Sequence, residues 1–281
     1  MIRDRAFVSR KYEQIWGGVC EFVKALRAAG ETDFESAFHL TLQFSNGIAP
    51  GGMCAPGAAT EGPFLIRGVE AQLAPLALEY VWRDLVAHEV FRVTRTDADV
   101  VAELGSGWSP NIFNLWLRGA PKGAAYFGGE LTEAGRQAAE SLAATRPAMN
   151  FTAPAFDWSY PDFSFLPREA RHVTVYSCFS IEQIPELSPD AIRGLLRQTE
   201  AAQTVQGVFI EPVGWQFPEF EQDKSLTERT RAYTRERNYN TNLRQVMETL
   251  GMEKRLRILG IAVNGFGSAI NPGTVIHWQR I

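Results

Sequence analysis

The sequence predicts an α/β protein with a mostly parallel sheet, an antiparallel hairpin at its C-terminal end, and a helical segment before the sheet. Three observations lead to this prediction. Up to about position 95, apolar side chains recur at helical spacing. After Asp97, short apolar runs alternate with helical stretches, which indicates a parallel sheet covered by helices on both faces. The last two apolar runs are separated by a short Gly/Asn/Pro turn, which is typical of a hairpin at a sheet edge.

The composition is that of a soluble globular protein. Of the 281 residues, 45% are hydrophobic and 21% are charged, and no run of 18 apolar residues predicts a membrane span. The net charge of −4 argues against duplex nucleic acid as the main partner, because phosphate neutralisation needs a basic surface. Three scattered cysteines predict neither a disulfide framework nor a zinc site, and the first residues lack a signal-peptide pattern. We therefore expect a cytoplasmic protein with no metal and no membrane partner.

Three helices are predicted before the sheet. Apolar side chains spaced by three or four residues predict a helix over residues 8–26, which Gly30 ends. Similar patterns predict helices over residues 34–44 and about 65–90. Between these two lie residues 46–63, of which 8 of 18 are Gly or Pro, so we expect a connector, a lid or a disordered segment there. The chain thus divides into a helical cap, residues 1–95, and a sheet domain, residues 96–281.

The sheet domain is predicted to contain seven strands and at least four helices. The predicted strands cover residues 98–104, 123–127, 148–156, 172–178, 205–210, 256–263 and 274–279. The predicted helices cover residues 110–118, 132–144, 189–200 and 242–250. The stretch 228–237 contains four arginines, and its simplest interpretation is a solvated helix face.

The most informative segment is a glycine-rich turn directly after the first predicted strand. Glu103 is followed by Gly105 and Gly107, and then by Ser109 and Pro110. Ser109 is a favoured N-cap residue and Pro110 a favoured first helical residue. The segment is therefore a strand–turn–helix crossing at the carboxyl end of a parallel strand, where open α/β sheets bind ligands. Glycines there allow the backbone to approach a ligand closely, although a tight turn without any ligand would also use them.

Two ligand classes use such a turn. A dinucleotide fold favours Gly-x-Gly-x-x-Gly, but Pro110 stands at the third glycine position. The pattern Glu103-x-Gly105-x-Gly107 instead resembles the first motif of the class I S-adenosylmethionine-dependent methyltransferases. The resemblance implies that the turn passes beneath the methionine part of the cofactor and that Glu103 orients its amino group. Ser109 stands where the family often has a further glycine.

The segment also departs from the family at Trp108, which puts a bulky ring where a small residue is common. The cofactor fits if that ring points away from the turn.

Further positions resemble the same family in the expected order. Glu130, with Leu131 beside it, matches the acid that holds the ribose hydroxyls, although a helix-start acid is the alternative. Asp157 and Trp158 match the adenine-binding pair, although Asp157 is equally suited to a turn. The family also places the residues after its fourth strand against the cofactor, here Ser177, Cys178 and Phe179. Over residues 97–281 the resemblance implies a Rossmann-like, seven-stranded sheet with a reversed last strand.

Methyl transfer to a hydroxyl or an amide nitrogen needs in-line positioning and a proton acceptor. Glu182, at the mouth of the sheet, is our first candidate for the catalytic base, and Glu211 is the second. A helix-entry acid is the alternative role for Glu182. For substrate binding we propose Gln183, His39 from the helical cap, and Arg235 as a contact for an anionic substrate.

The expected substrate is a small molecule that accepts the methyl group on a hydroxyl, either a sugar or a natural product. Three segments also resemble bacterial sequences described as sugar O-methyltransferases, namely 182–184, 238–240 and 271–272. N-methylation of a peptide or amino-acid-like substrate is the alternative within the class. A nicotinamide-dependent oxidoreductase and a non-catalytic cofactor-binding protein are the alternatives outside it. A homodimer is compatible with the sequence.

Overall fold

The computed structural model describes residues 5–47, 63–220 and 223–281. Within these ranges one sheet has the strand order β2-β1-β8-β9-β7-β6-β3-β4-β5. The strands are β1 (Phe64–Ile66), β2 (Val69–Ala71), β3 (Val100–Leu104), β4 (Ala125–Gly129), β5 (Phe151–Thr152), β6 (His172–Cys178), β7 (Thr204–Glu211), β8 (Leu256–Ser268) and β9 (Asn271–Arg280). The helices are α1 (Arg5–Ala28), α2 (Phe34–Ser45), α3 (Pro75–Phe91), α4 (Pro110–Leu117), α5 (Glu133–Ala143), α6 (Pro189–Gln198), α7 (Lys224–Arg237) and α8 (Leu243–Met252).

Five neighbouring strands form a parallel, doubly wound core. β3 pairs in parallel with β4 on one side and with β6 on the other, and β5 and β7 extend the two halves. All five residues of β3 are buried, as expected for a parallel strand covered on both faces. The strand order reverses between β3 and β6, which makes their carboxyl ends the topological switch point. The predicted α/β class and mostly parallel sheet are therefore confirmed.

The predicted reversal of the last strand is also confirmed, but its position differs from the prediction. β9 lies between β7 and β8 and runs antiparallel to both, so β8 runs in the direction of the parallel strands. The two strands do not end the sheet, because β1 pairs with β8 and β2 with β1. The sheet thus has two strands more than the seven predicted.

The two additional strands come from a segment that we predicted to be helical. The third helix begins at Pro75 rather than near residue 65, and residues 64–71 form a hairpin instead. Its two-residue loop is Arg67-Gly68, with φ of 51° and 81°. Positive φ at both loop positions is the geometry of a type I′ turn, which matches the twist of paired strands. Of the segment 46–63, which we predicted to be a connector, a lid or disordered, residues 48–62 lie outside the described residues, and Cys54 is among them.

The helices α1, α2 and α3, which we expected to form a cap, pack on helices of the parallel core, while β1 and β2 belong to the sheet itself. α1 packs against α5, and α2 and α3 pack against α4. The Glu13 carboxylate of α1 accepts hydrogen bonds from the backbone N–H groups of Glu133 and Ala134, at 3.0 and 3.1 Å, and so caps α5 from outside. One buried cluster contains side chains from both regions, among them Val19, Phe38, Phe113 and Tyr126. Of the described helices, none is long and apolar enough to cross a membrane.

Candidate active site

A cavity of about 400 Å³ opens at the carboxyl ends of β3, β4 and β6, at the switch point of the sheet. Its floor comes from the glycine-rich turn and the strand ends, and its roof comes from α1 and α3. Predicted site residues in its lining are Glu103, Gly105, Gly107, Glu130, Leu131, Asp157, Trp158, Cys178, Phe179, Glu182 and Gln183. The volume lies within the range of roughly 300–1,000 Å³ that is usual for small-molecule sites.

The glycines of the turn are required by backbone conformation and by close packing. Gly105 and Gly107 have φ of 84° and 58°, which disfavours any residue with a Cβ. A Cβ on Gly105 would lie 2.2 Å from Ser180 Oγ, and one on Gly107 would lie 3.0 Å from the Trp16 ring. The turn is therefore held between Ser180 and Trp16.

The two residues that depart from the family pattern are both buried. Ser109 has φ of 61° and ψ of 36°, and its side chain makes no N-capping hydrogen bond, so the predicted side-chain cap is not formed. Its hydroxyl donates to Ser106 Oγ at 3.0 Å. The left-handed backbone at this position explains why glycine would suit it better. The Trp108 ring is 1% exposed and packs against Phe38, so the indole lies in the core rather than across the turn.

Glu103 lies at the end of a hydrogen-bonded chain that begins in the helical cap. Its Oε1 accepts from Asn111 Nδ2 at 2.6 Å and its Oε2 accepts from the Tyr176 hydroxyl at 3.3 Å. The Asn111 carbonyl accepts in turn from Arg83 Nη1 at 2.7 Å, and Arg83 is paired with Glu79. Burial raises the pKa of Glu103 to about 8, although these donors oppose the shift.

Glu130 connects the ends of β3 and β4. Its Oε2 accepts from the Gly107 N–H at 2.9 Å, and its Oε1 accepts from the Thr132 N–H and hydroxyl at 3.0 and 2.7 Å. These bonds use three of the roughly four acceptor positions of a carboxylate. Burial raises the pKa of Glu130 as well. Its direct hydrogen-bond donors, like those of Glu103, are neutral groups.

Asp157 and Trp158 follow the third strand of the parallel core, as predicted. Asp157 accepts from the Ser159 N–H at 2.8 Å and forms an ion pair with Arg5 of α1. Trp158 Nε1 donates to Ser180 Oγ at 2.9 Å, and that hydroxyl donates to the Leu104 carbonyl at 2.7 Å. Through Ser180, these contacts connect the end of β3 and the segments that follow β5 and β6.

Glu182 is a buried carboxylate in the cavity wall. Its Oε1 accepts from Gln183 Nε2 at 2.7 Å, and its Oε2 accepts from Asn271 Nδ2 at 3.1 Å. Burial, and secondly the neighbouring Glu211, raise the pKa of Glu182 to about 8. A carboxyl group with a pKa near neutrality is suited to accept and release a proton.

Glu211 does not line the cavity. It is fully buried and accepts from the Ser177 hydroxyl and from the N–H groups of Ser180, Ile181 and Glu182, at 3.2, 3.1 and 3.0 Å. It therefore holds the loop that carries Glu182 and has no access to a substrate. Burial raises its pKa to about 7.

Four further predicted residues also lie outside the lining. Ser109 and Ser177 are buried beneath it. His39 contacts the Tyr80 hydroxyl at 3.0 Å, between α2 and α3. Arg235 is exposed on α7, and the same helix directs Tyr233 toward the cavity instead. Within the described part of the chain, no group of three or more His, Cys, Asp or Glu side chains could hold a metal ion.

The individual side chains that form the roof of the cavity were not predicted from the sequence. Trp16, Trp82 and Arg83 contribute to it from α1 and α3, and Asn271 contributes from the start of β9. The helical spacing of Trp16, Trp82 and Arg83 marks them only as part of helix faces, so nothing in the neighbouring sequence distinguished them from core residues. Asn271 was noted in the sequence only as part of the segment 271–272, without a role in the site.

No protein-family model matches the chain, and no curated protein matches it in sequence. Solved structures similar to it include the geranyl diphosphate C-methyltransferase from Streptomyces coelicolor A3(2), at 12% identity, covering 73% of this chain and 77% of that one, with a TM-score of 0.47. The magnesium protoporphyrin IX methyltransferase from Synechocystis PCC 6803 matches at 12% identity over 76% and 91%, with a TM-score of 0.46. An O-methyltransferase from Bacillus cereus matches at 13% identity over 70% and 81%, with a TM-score of 0.46. Identities this low transfer no residue roles to this chain.

Proposed function

We propose that this protein is an S-adenosylmethionine-dependent methyltransferase that acts on a hydroxyl group of a small molecule. One observation supports the proposal above all others. Two buried carboxylates, Glu103 and Glu130, face the same cavity as a glycine-rich turn and a third carboxylate, Glu182, at the switch point of a doubly wound sheet. The sugar or natural-product character of the acceptor and the cytoplasmic location are parts of the same proposal.

The negative charge of Glu103 and Glu130 complements the positive charge of this cofactor. Buried carboxylates are stable in the ionised form only with a compensating charge or several donors, and the direct partners of Glu103 and Glu130 are neutral. A cationic amino group would supply the charge that Glu103 lacks, and one ribose hydroxyl would fill the acceptor position that Glu130 still has open. Glu103 would hold the amino group, the backbone of Gly105 and Gly107 would lie along the methionine part, and Glu130 would accept from the ribose.

The adenine would lie in the part of the cavity next to the segments that follow β4 and β5. Leu131, Phe156 and Asp157 line that part, and they offer apolar surface and one acceptor for the adenine amino group. Cys178 and Phe179 would flank the cofactor on the β6 side.

The residues of this chain would then perform two tasks in the reaction. When bound, the cofactor would supply a methyl group activated by the adjacent sulfonium for transfer to the acceptor oxygen, with the neutral thioether as leaving group. Glu182 accepts the hydrogen bond of the acceptor hydroxyl and takes its proton, while Gln183 and Asn271 hold the carboxylate in place. Trp16 and Trp82 restrict the access of water from above.

The same geometry argues against a dinucleotide. A pyrophosphate is normally bound by free backbone N–H groups at a helix N-terminus. Here α4 begins with Pro110, which has no N–H, and the Gly107 N–H already donates to Glu130. Glu103 and Glu130 would also repel the phosphates.

Calorimetric titration of the full chain tests the proposal. We expect S-adenosylhomocysteine to bind and NAD to give no heat of binding at the same concentration. Glu103→Ala and Glu130→Ala should each weaken S-adenosylhomocysteine binding by tenfold or more, whereas Glu186→Ala, an exposed acid outside the cavity, should not. Binding of NAD but not of S-adenosylhomocysteine would overturn the proposal.

A further inference from the structure

The cavity has two halves that follow the strand order. The half near β3 and β4 contains Glu103, the glycine-rich turn and Glu130, which the proposed function assigns to the cofactor. The other half lies toward β6, β9, β8 and β1 and ends at Ile270, in the turn between β8 and β9. If the cofactor occupies the first half, the acceptor occupies the second.

The walls of this acceptor half are largely aromatic. The Trp82 ring is perpendicular to those of Phe179 and Phe64, with centroid distances of 4.9 and 6.0 Å. Tyr233 and Tyr239 form a second edge-to-face pair, at 6.1 Å, in the same lining. Aromatic side chains from four separate parts of the chain therefore line the same cavity as Glu182. Such walls favour a flat, apolar ring, which can contact them in stacked or edge-to-face geometry.

Most of the polar side chains in this half already bond within the protein, although the buried Asn271 Oδ1 has no partner among the described residues and could accept from one acceptor hydroxyl. Gln183 and Asn271 both donate to Glu182. Ser45 and Asn46 donate to the Leu42 carbonyl, at 3.0 and 2.8 Å. A sugar that entered this space would leave several of its hydroxyls without partners, and each unpaired buried hydroxyl weakens binding.

Charge disfavours an anionic acceptor. Among the described residues, the cationic side chains in the lining are Lys11 and Arg83. Arg83 is already paired with Glu79 and Asn111, and the charge of Lys11 acts on Glu182, whose pKa it lowers. Arg235, which we expected to contact an anion, lies outside the lining. In its ionised form, which the proposed reaction requires, Glu182 would repel a phosphate or a carboxylate placed next to it.

From these observations we infer that the acceptor is an uncharged aromatic molecule whose ring lies between Trp82, Phe179 and Tyr233 and whose ring hydroxyl donates to Glu182. This inference rests on the proposed function and specifies its substrate class. The pKa values of Glu182 and of the candidate hydroxyl groups also favour a phenol as the acceptor. A phenol has a pKa of about 10, close to the value of about 8 for Glu182, whereas an aliphatic hydroxyl is nearly as weak an acid as water, at about 15.7.

Three probes distinguish the acceptor classes. We would titrate 2-naphthol, 2-naphthyl phosphate and methyl α-glucopyranoside into the full chain saturated with S-adenosylhomocysteine. The inference predicts a Kd for 2-naphthol at least tenfold below those of the other two. Equal or tighter binding of the phosphate or the glucoside, or no binding of 2-naphthol, would overturn it. Saturation with S-adenosylhomocysteine is established first, so failure of the proposed function is seen separately from failure of this inference.

A pair of matched variants locates the binding. Ile270 and Leu259 are both about half exposed, at 50% and 46%, so a lysine at either position is tolerated by the fold. Ile270 lines the cavity and Leu259 does not. Ile270→Lys should weaken 2-naphthol binding at least fivefold. It should also lower the ratio of the Kd for 2-naphthyl phosphate to the Kd for 2-naphthol, while Leu259→Lys should change neither quantity. An equal effect of the two substitutions would place the naphthol elsewhere and contradict the inference.

Discussion

Arg83 of the helical cap fixes the orientation of Asn111 in the sheet domain. A guanidinium can only donate, so the Asn111 carbonyl, 2.7 Å from Arg83 Nη1, must face it. The amide NH₂ group then points to Glu103 Oε1, 2.6 Å away. The protonation of Glu103, at the end of β3, thus depends on Arg83 in α3.

Arg83→Gln tests this dependence. The positive charge of Arg83 lowers the pKa of Glu103, while burial and, to a smaller extent, Glu130 raise it. Tyr176 and Asn111 are the other groups that contact the carboxylate. Without Arg83 more of Glu103 is protonated at a given pH, so S-adenosylhomocysteine affinity should reach its plateau at a higher pH than in the wild type. Calorimetry between pH 6 and 9.5 measures this shift.

The control is Arg118→Gln. Arg118 also connects α4 to α3, through Asp84, but does not contact Asn111. Its profile should match the wild type, and a similar shift in both variants would show that the effect comes from helix docking rather than from Glu103.

Glu182→Gln should lower kcat by roughly 10²–10⁴-fold and leave S-adenosylhomocysteine affinity unchanged, because the amide cannot take a proton. In the wild type, kcat/KM should rise with pH through a midpoint at about 8, the pKa of Glu182, and level off above it, where Glu182 is ionised. Initial rates with a phenolic acceptor across pH 6–9.5 measure both effects. Glu186→Gln, exposed and outside the cavity, should behave as the wild type. Full turnover in Glu182→Gln would remove it as the base.

Gly105→Ala should reduce the free energy of unfolding by about 2 kcal/mol or more. The left-handed backbone alone costs roughly 1–2 kcal/mol with a Cβ, and that Cβ would also overlap Ser180. Gly17→Ala is the matched control, because Gly17 lies in α1 with open space around it. That change should stabilise the protein by roughly 0.5–1 kcal/mol. Urea denaturation measures both, and similar effects of the two substitutions would contradict the packing described.

Stability should fall as pH rises from about 5 to 8. The pKa values of Glu103, Glu182 and Glu211 lie at about 8, 8 and 7 in the folded protein, above the ordinary carboxyl value of 4.5. In this window the folded state binds more protons than the unfolded state, so the free energy of unfolding decreases with increasing pH. Thermal midpoints at pH 5.5 and 8.5 should show the decrease, and Glu182→Gln should reduce it. A midpoint that rises over this range would contradict the assignment.

Four of the five parallel strands were predicted to within two residues at each end, because each lies between polar or glycine-rich turns, whereas the third, predicted over residues 148–156, is only Phe151–Thr152. β6 was predicted with its exact bounds, residues 172–178, since it is buried throughout apart from its last residue. The β1–β2 hairpin was missed, because its apolar residues Phe64, Leu65 and Ile66 continue the pattern of the helix that follows. Gly68 was the local signal for a turn, but the pairing that stabilises the hairpin comes from β8, some 200 residues away.

Acids at strand ends were predictable as site residues because parallel strands bring their carboxyl ends to one edge. The same reasoning failed to separate Glu182 from Glu211, since both follow strands and only packing shows that one faces the cavity and the other the loop beneath it. Arg83 and Trp82 could not be found, because the face that a cap helix turns to the sheet depends on how the helix docks.

The capping of α5 by Glu13 has a consequence for synthesis of the chain. The carboxylate and the N–H groups that it accepts from are separated by 120 residues. At typical translation rates of roughly 5–20 residues per second, α1 leaves the ribosome about 6–24 s before its partner. During that interval its apolar side, including Val19 and Val23, lacks the helix α5 on which α1 packs in the folded protein. The roof of the cavity is therefore made first and docked late, so the site is completed only when most of the protein has been synthesised.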